Sequence, residues 1–256
     1  SKLLLSASST QLFKGPEIGE VFFGAGIDDT ANPDIKAETG SNSEIALAYS
    51  NQLENRGQLN TGVTLFRTDI NDYIYDYAAI PAGGGRWKDN VGDMMIDGYE
   101  AYLGYNIGKL KTLVTLSVAE SELDAFADYT GLDGARLDRI QGDTLTLSAD
   151  YDMPQNALVF HWDMMIVDDV DAGIDLDGAS LDNSKDGFTV HNVSVRWTPT
   201  EVKGLSLTFG IDNLFDEFYA SQSSRTGVSA HPLFGDLYLV DYEPGRNIKM
   251  TASYQF

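Results

Sequence analysis

An alternation with a period of two runs the length of this chain, and it leaves few folds open. In the last ten residues, Ile248, Met250, Ala252, Tyr254 and Phe256 fall on one face, and Asn247, Lys249, Thr251, Ser253 and Gln255 on the other. Successive side chains of a strand point to opposite sides, so this segment is a strand with one apolar and one polar surface. Leu205, Leu207, Phe209 and Ile211 oppose Ser206, Thr208, Gly210 and Asp212 in the same way, as Leu145, Leu147, Ala149 and Tyr151 oppose Thr144, Thr146, Ser148 and Asp150. Tyr99 to Tyr105 and Leu158 to Ile166 repeat the pattern. Such strands suit a sheet with lipid on one side and a wet interior on the other.

A soluble β-sandwich also alternates, but two features favour the membrane. Several strands read as ten or more residues, against the usual five or six, and a tilted membrane strand needs roughly 9–11. The connections also alternate in length. Short ones fall at Asn106–Leu110, Asp152–Asn156 and Pro199–Gly204, with a somewhat longer one at Asn51–Gln58; long ones fall at Lys14–Ile35, Ala78–Gly92, Glu120–Asp138, Asp168–Asp186 and Tyr219–Gly245. Outer-membrane barrels pair short periplasmic turns with long extracellular loops. The expected fold is therefore all-β: an antiparallel transmembrane β-barrel with about ten strands, the first near Lys2–Phe13 and the last ending at Phe256, on the periplasmic side.

Composition closes off other classes. Lys plus Arg number 17 and Asp plus Glu 39, a net charge of −22, which argues against a nucleic-acid partner because phosphates are neutralised by clustered cations. There is no cysteine, so disulfides and thiolate chemistry are excluded. SKLLLSASSTQLF lacks the apolar core and cleavage motif of a signal peptide, and nowhere do eighteen apolar residues run together. No His-x-x-x-His, Glu-x-x-His or Ser-His-Asp arrangement appears, so the expectation is a protein that is not an enzyme and has no cofactor.

Five short motifs then point to a family. Phe13–Glu20 (FKGPEIGE), Asn32–Thr39 (NPDIKAET) with Ser43–Leu47 (SEIAL), Phe66–Ile74 (FRTDINDYI), Ile211–Tyr219 (IDNLFDEFY) and Tyr242–Arg246 (YEPGR), followed by a strand ending in Phe256, occur in that order. Together they resemble the C-terminal part of TonB-dependent outer-membrane receptors. The resemblance implies that residues 1–256 are the last ten strands of a 22-stranded barrel, with the plug domain, TonB box and earlier strands outside this chain. It also implies an outer-membrane location in a Gram-negative bacterium, partners in the TonB complex, outer-membrane lipid and lipopolysaccharide, and recognition of Phe256 by the barrel-assembly machinery. The motif positions it carries over are Asn32, Pro33, Glu38, Thr39, Asn213, Leu214, Phe215, Gly245, Arg246 and Phe256. On physical grounds Asn32-Pro33 should end a loop and set the start of the next strand. Asn213 and Asp216 should hydrogen-bond their own backbone, and Gly245 should supply an unusual φ. Tyr151, Trp197, Tyr254 and Phe256 should form the periplasmic aromatic girdle.

The implied cargo is an iron chelate, with haem slightly ahead of siderophores. The Phe13–Asn32 loop stands where haem receptors carry Phe-Arg-Ala-Pro and Asn-Pro-Asn-Leu boxes, but the histidine between those boxes is missing. Of the three histidines, His231 beside Pro232 is the best candidate contact, although most loop histidines are simply exposed. His161 reads as a polar wall residue next to Asp163, and His191 as interfacial. Further candidate contacts are Phe22, Phe23, Arg86, Trp87, Tyr129 and Tyr238, since guanidinium groups and rings suit flat or anionic chelates. Asp168, Asp171, Asp175 and Asp177 form a possible Ca²⁺ site, because hard cations take oxygen ligands; an EF-hand register is broken at Gly173. The alternative function is a self-contained ten-stranded barrel acting as a pore or an omptin-like surface protease.

Overall fold

The computed structural model describes residues 1–16, 32–54, 56–81, 86–137, 139–174, 183–223, 228–231, 235–238 and 240–256. In chain order the strands are β1 (Lys2–Lys14), β2 (Glu38–Leu53), β3 (Gly57–Ala79), β4 (Arg86–Ile107), β5 (Leu110–Ala125), β6 (Thr144–Met153), β7 (Leu158–Val167), β8 (Phe188–Trp197), β9 (Leu205–Asp212), β10 (Val228–His231), β11 (Gly235–Tyr238) and β12 (Asn247–Tyr254). All except β10 and β11 make one antiparallel ten-stranded sheet in the order β1 to β9, then β12; β10 and β11 form a separate hairpin. Among the described residues, β1 pairs with β2 alone and β12 with β9 alone. The sheet is an open arc, so these strands do not form the small closed barrel of the alternative reading.

The register turns the alternation into two surfaces. One row of directly paired residues reads Leu5, Leu47, Val63, Ala101, Leu116, Leu145 and Ile166 across seven strands. Another reads Tyr151, Phe160, Val195, Phe209 and Met250. Large apolar side chains here face outward, with Leu47 42% and Phe209 45% exposed although their strands are paired on both sides. The opposite face carries Lys2, Ser50, Asn60, Gly104, Leu113, Ser148, Asp163 and Asn192 in one row. Its hydroxyls and amides pair across strands, as Ser50 with Asn60 at 2.9 Å and Thr115 with Thr146 at 2.5 Å. An apolar outer band and a polar inner wall are what a bilayer-spanning sheet requires, because exposed apolar surface is stable only against lipid.

The connections at one end of the sheet are short (54–56, 108–109, 154–157 and 198–204) and those at the other are long. Two expected long loops are partly strand. β3 runs to Ala79 and β4 begins at Arg86, while β5 continues to Ala125 before a 3₁₀ turn at Ala127–Leu132. Backbone pairing needs no apolar side chains once a strand has left the bilayer, so the switch at Arg67 and Asp69 to outward polar residues marks the membrane boundary, not the strand end. Residues 67–79 carry the hairpin roughly 40 Å beyond the apolar band at about 3.3 Å per residue. Register shifts near Asp72, whose φ is 54°, bend this extension.

The larger of two buried apolar clusters among the described residues lies on the inner face of that extension; the smaller joins Val167, Phe188 and Val190 where β7 meets β8. In the larger one, Ile70, Met94 and Leu123 are paired in register. With Tyr75, Ala78, Val91, Tyr129 and Ala135 they form a cluster in which Val91 and Leu123 are fully buried.

Candidate functional site

The long connections and the inner wall below them make the candidate site. Near β3 and β4, Asp89 is a hub. It accepts from Asn32 Nδ2 at 2.8 Å, from its neighbour's backbone N–H at Asn90 (2.9 Å) and from the Tyr129 hydroxyl at 2.5 Å. Trp87 Nε1 donates to the same Tyr129 oxygen at 3.2 Å. Burial first, and then the bond to Asp89, hold the Tyr129 hydroxyl above its ordinary range. Asn32 also bonds Lys88 O at 3.0 Å and accepts from Asp34 N–H at 3.1 Å, the Asx turn that Asn-Pro favours. Asn90 grips the Lys36 backbone in both directions, at 2.7 and 3.1 Å, and Glu38 accepts from Ile74 N–H at 2.8 Å. The segment after Pro33 is thereby laid against β3 and β4 before β2 begins. Thr39 pairs with Phe13 and with Asn71 across β1, β2 and β3.

A second set of contacts ties three loops together. Gln222, buried, accepts from Gly142 N–H at 2.8 Å and donates to the carbonyls of Asp168 and Asp186 at 2.8 and 2.9 Å. Lys185, also buried, donates to the carbonyls of Ile140 and Gln222 at 2.9 and 2.5 Å. Burying an ammonium is costly unless oxygen partners replace its water, and here backbone carbonyls do so.

The third set joins two of the sequence motifs in space. Asn213 (φ 49°) donates from Nδ2 to Glu217 O at 2.8 Å and accepts from Glu217 N–H at 2.7 Å. Leu214 N–H donates to His191 O at 2.7 Å, and Phe215 meets the His191 ring edge-on at 5.0 Å. Asp216 (φ 61°) accepts from Arg246 N–H at 2.7 Å, while the Arg246 guanidinium lies 3.8 Å from its carboxylate. The expectation for Gly245 is corrected: its φ is not among the positive ones. A Cβ there would sit 2.8 Å from Asp216 Oδ1, so glycine serves to let that carboxylate approach the chain. On the inner wall below, His161 stands between Asp150 and Asp163, at 2.8 and 3.1 Å.

Of the candidate contacts, Trp87 and Tyr129 come together, but with their polar atoms bonded to each other and to Asp89; Tyr129 is buried, in a structural position. Phe22 and Phe23 lie outside the described residues, as do Asp175 and Asp177 and the side chains of Arg86, His231 and Tyr238. The backbone does place His231 and Tyr238 in the β10–β11 hairpin. Asp168 and Asp171 are described, and among the described residues no three acidic or histidine side chains converge as a metal site. At the other end of the sheet, Tyr151, Trp197 and Tyr254 lie on the outer face, and the Tyr254 and Phe256 rings meet at 5.2 Å. Sequence reasoning passed over Asp89, Asn90, Lys185, Gln222 and Asn192. Their roles come from partners distant in sequence, and no local pattern marks them.

Residues 2–214 match the family described as TonB dependent receptor-like, beta-barrel. The vitamin B12 transporter BtuB of Photobacterium profundum is 27% identical over 227 residues, 88% of this chain and 33% of that protein. The TonB-dependent heme receptor A of Haemophilus influenzae (strain 86-028NP) is 31% identical over 70 residues, 27% of this chain and 8% of the receptor. Among solved structures, the copper transporter OprC superposes with a TM-score of 0.76 at 20% identity, over 99% of this chain and 37% of its own. The FrpB iron transporter from Neisseria meningitidis gives 0.70 at 20% identity, with the same coverage. This chain spans about a third of the length of these proteins. Family match, strand order and two-faced sheet agree: the chain belongs to the β-barrel family of TonB-dependent receptors, which are receptors and transporters, not enzymes, of the Gram-negative outer membrane.

Proposed function

We infer that this chain forms the last ten strands of a 22-stranded outer-membrane receptor that imports an iron chelate, haem or a siderophore, at the expense of energy delivered through TonB. Plug, TonB-contacting segment and earlier strands belong to the same receptor outside these residues. The observation that carries the reading is the open sheet itself. Its outer face is apolar across seven paired strands, its inner wall is polar, and its two edge strands await partners. An arc with two bare edges is completed by more strands, and a 22-stranded barrel encloses a lumen wide enough to need a plug. The long connections gather at the extracellular mouth, where capture takes place, and the mechanism is binding and gated passage with no covalent step.

The relatives named for vitamin B12, heme, iron and copper leave several cargoes to compare. Receptor purified from native outer membranes is titrated with haemin, a ferric hydroxamate, a ferric catecholate and cobalamin, and uptake of the tightest binder is followed with and without TonB. Saturable binding of an iron chelate and TonB-dependent uptake are expected. Selective binding of cobalamin, or uptake that survives loss of TonB, overturns the proposal.

A further inference from the structure

The outer face of the wall is not smooth. Where β2 to β5 run side by side, Thr61 and Ala101 leave a recess of about 430 Å³ among the larger side chains of Leu47, Tyr49, Leu103 and Leu116. The register explains it. The outward row Leu47, Val63, Ala101 and Leu116 is followed, two residues nearer the short turns, by Tyr49, Thr61, Leu103 and Val114. Each row has one small side chain among larger ones, and the two small ones are diagonal neighbours on β3 and β4. Hydroxyls on this face are turned onto the chain: Thr61 Oγ1 donates to Tyr102 O at 2.8 Å, and Thr112 Oγ1 to Tyr105 O at 3.0 Å. Groups satisfied in this way do not need water, so the recess suits an apolar occupant.

Each of β2, β3, β4 and β5 is paired on both sides. Strands that complete the barrel at β1 and β12 therefore do not reach the recess, and anything in the lumen lies behind the sheet. What meets it is the bilayer. Lipid chains are as apolar as these side chains, so a flat apolar face holds no one chain in preference to another; shape and charge decide. Both are present here. Tyr105, on the next outward row, donates its hydroxyl to Arg56 O and holds the β2–β3 turn to this face. Arg56 is exposed, and among the described residues its guanidinium has no hydrogen-bond or carboxylate partner. Lys109 lies in the neighbouring turn, and Glu54 is the one acid in the two turns of a chain whose net charge is −22. Arg56 is five residues from Thr61, roughly 16 Å along the strand at about 3.3 Å per residue, which matches half of a hydrocarbon core about 30 Å thick.

We propose that the recess holds one acyl chain of a phospholipid from the periplasmic leaflet, with the lipid's phosphate at Arg56. The proposal rests on the placement of the wall in the outer membrane, and it stands whichever cargo the receptor carries.

The test is native mass spectrometry of the intact receptor, purified in a mild detergent and titrated with palmitoyl-oleoyl phosphatidylethanolamine. One phospholipid is expected to bind saturably above a background that grows linearly. Ala101→Phe, which fills the recess, is expected to weaken that binding about three- to tenfold, the worth of about five to ten lost carbon contacts. Thr61→Leu fills it from the neighbouring strand and should act likewise, so the idea stays testable if one variant inserts poorly. Arg56→Gln should weaken it about two- to fivefold, while Val195→Phe, on the same face at β8, should leave it unchanged. Binding that does not saturate, that is unchanged in both recess-filling variants or in Arg56→Gln, or that Val195→Phe weakens as much, overturns the proposal. So does a bound lipopolysaccharide or a second receptor copy that Ala101→Phe displaces in place of phospholipid.

Discussion

The long connections at the two ends of the arc combine apolar packing and hydrogen bonding in different proportions. Around β3 to β5, strands run far beyond the apolar band and close a small hydrophobic core, with Val91, Met94 and Leu123 buried beneath the turn that carries Tyr129. Around β8 to β12, the strands stop near the rim, and the following segment is held by a smaller apolar cluster of Val167, Phe188 and Val190, on which Tyr219 packs, together with side chains that satisfy backbone groups: Asn213 on Glu217, Asp216 on Arg246, and Gln222 on Gly142, Asp168 and Asp186. A hydrophobic core resists substitution by volume and tolerates few changes of size. A hydrogen-bonded corner depends on individual donors and acceptors, each of modest net value. The first region thus leans on the larger core, and the second more on its individual hydrogen bonds.

The largest test of this contrast is Leu123→Ala. Removing a fully buried side chain from the β3–β5 core is expected to cost about 2–4 kcal/mol locally, seen as faster hydrogen exchange in 86–96 and 119–137, with the 213–222 segment unaffected. Equal loosening of both regions would mean that they share one core. Next comes Gln222→Ala, which leaves the Gly142 N–H and two carbonyls without their partner and is expected to cost about 1–3 kcal/mol. Exchange should rise together in the β5–β6, β7–β8 and β9–β12 connections, and a change confined to the last would show that Gln222 does not join the three.

Asn213→Ala removes both side-chain bonds to Glu217 and puts alanine at φ 49°, for an expected loss of about 1–2 kcal/mol. Asn213→Gly loses the same bonds but keeps the backbone permissive and should cost less; equal losses would show that bonding alone, not conformation, sets the cost there. The smallest expected effect is pH-linked. The Tyr129 hydroxyl is held above the ordinary value of 10.0 by burial and by Asp89, so its folded environment favours the neutral phenol. That stabilisation is complete below the unfolded value and is lost as pH climbs past it. Protection of the 126–137 segment should therefore decline above about pH 10, and Tyr129→Phe should abolish the decline.

The contrast also shows what the sequence could disclose. The alternation in Leu145–Tyr151 and Asn247–Phe256 reads directly as a two-faced strand, because facing is fixed by the pleat alone, and ten strands with alternating connection lengths follow from it. The far ends of β4 and β5 are not legible in this way. Residues 86–92 and 120–125 fall in stretches that read as loops, yet they are strand, and Val91 and Leu123 among them are buried in the core. The motif around Asn213 announces a corner, since asparagine can bond its own backbone. What the sequence does not show is that Asp216 and Arg246, thirty residues apart, meet there, or that glycine at 245 is there for space. Tyr129 was chosen as a ring suited to a cargo; its polar end proves committed to Asp89, a partner forty positions away.

The central claim is that this sheet spans a bilayer with a lipid-facing and a water-facing side, and the absence of cysteine from the chain allows a direct test. Single cysteines are placed in turn at residues 144 to 149 of β6 in the receptor, in native outer membranes, and exposed to a water-soluble maleimide. Labelling at Thr144, Thr146 and Ser148 with protection at Leu145, Leu147 and Ala149 is the predicted result. Uniform labelling, or an alternation of the opposite phase, would contradict it.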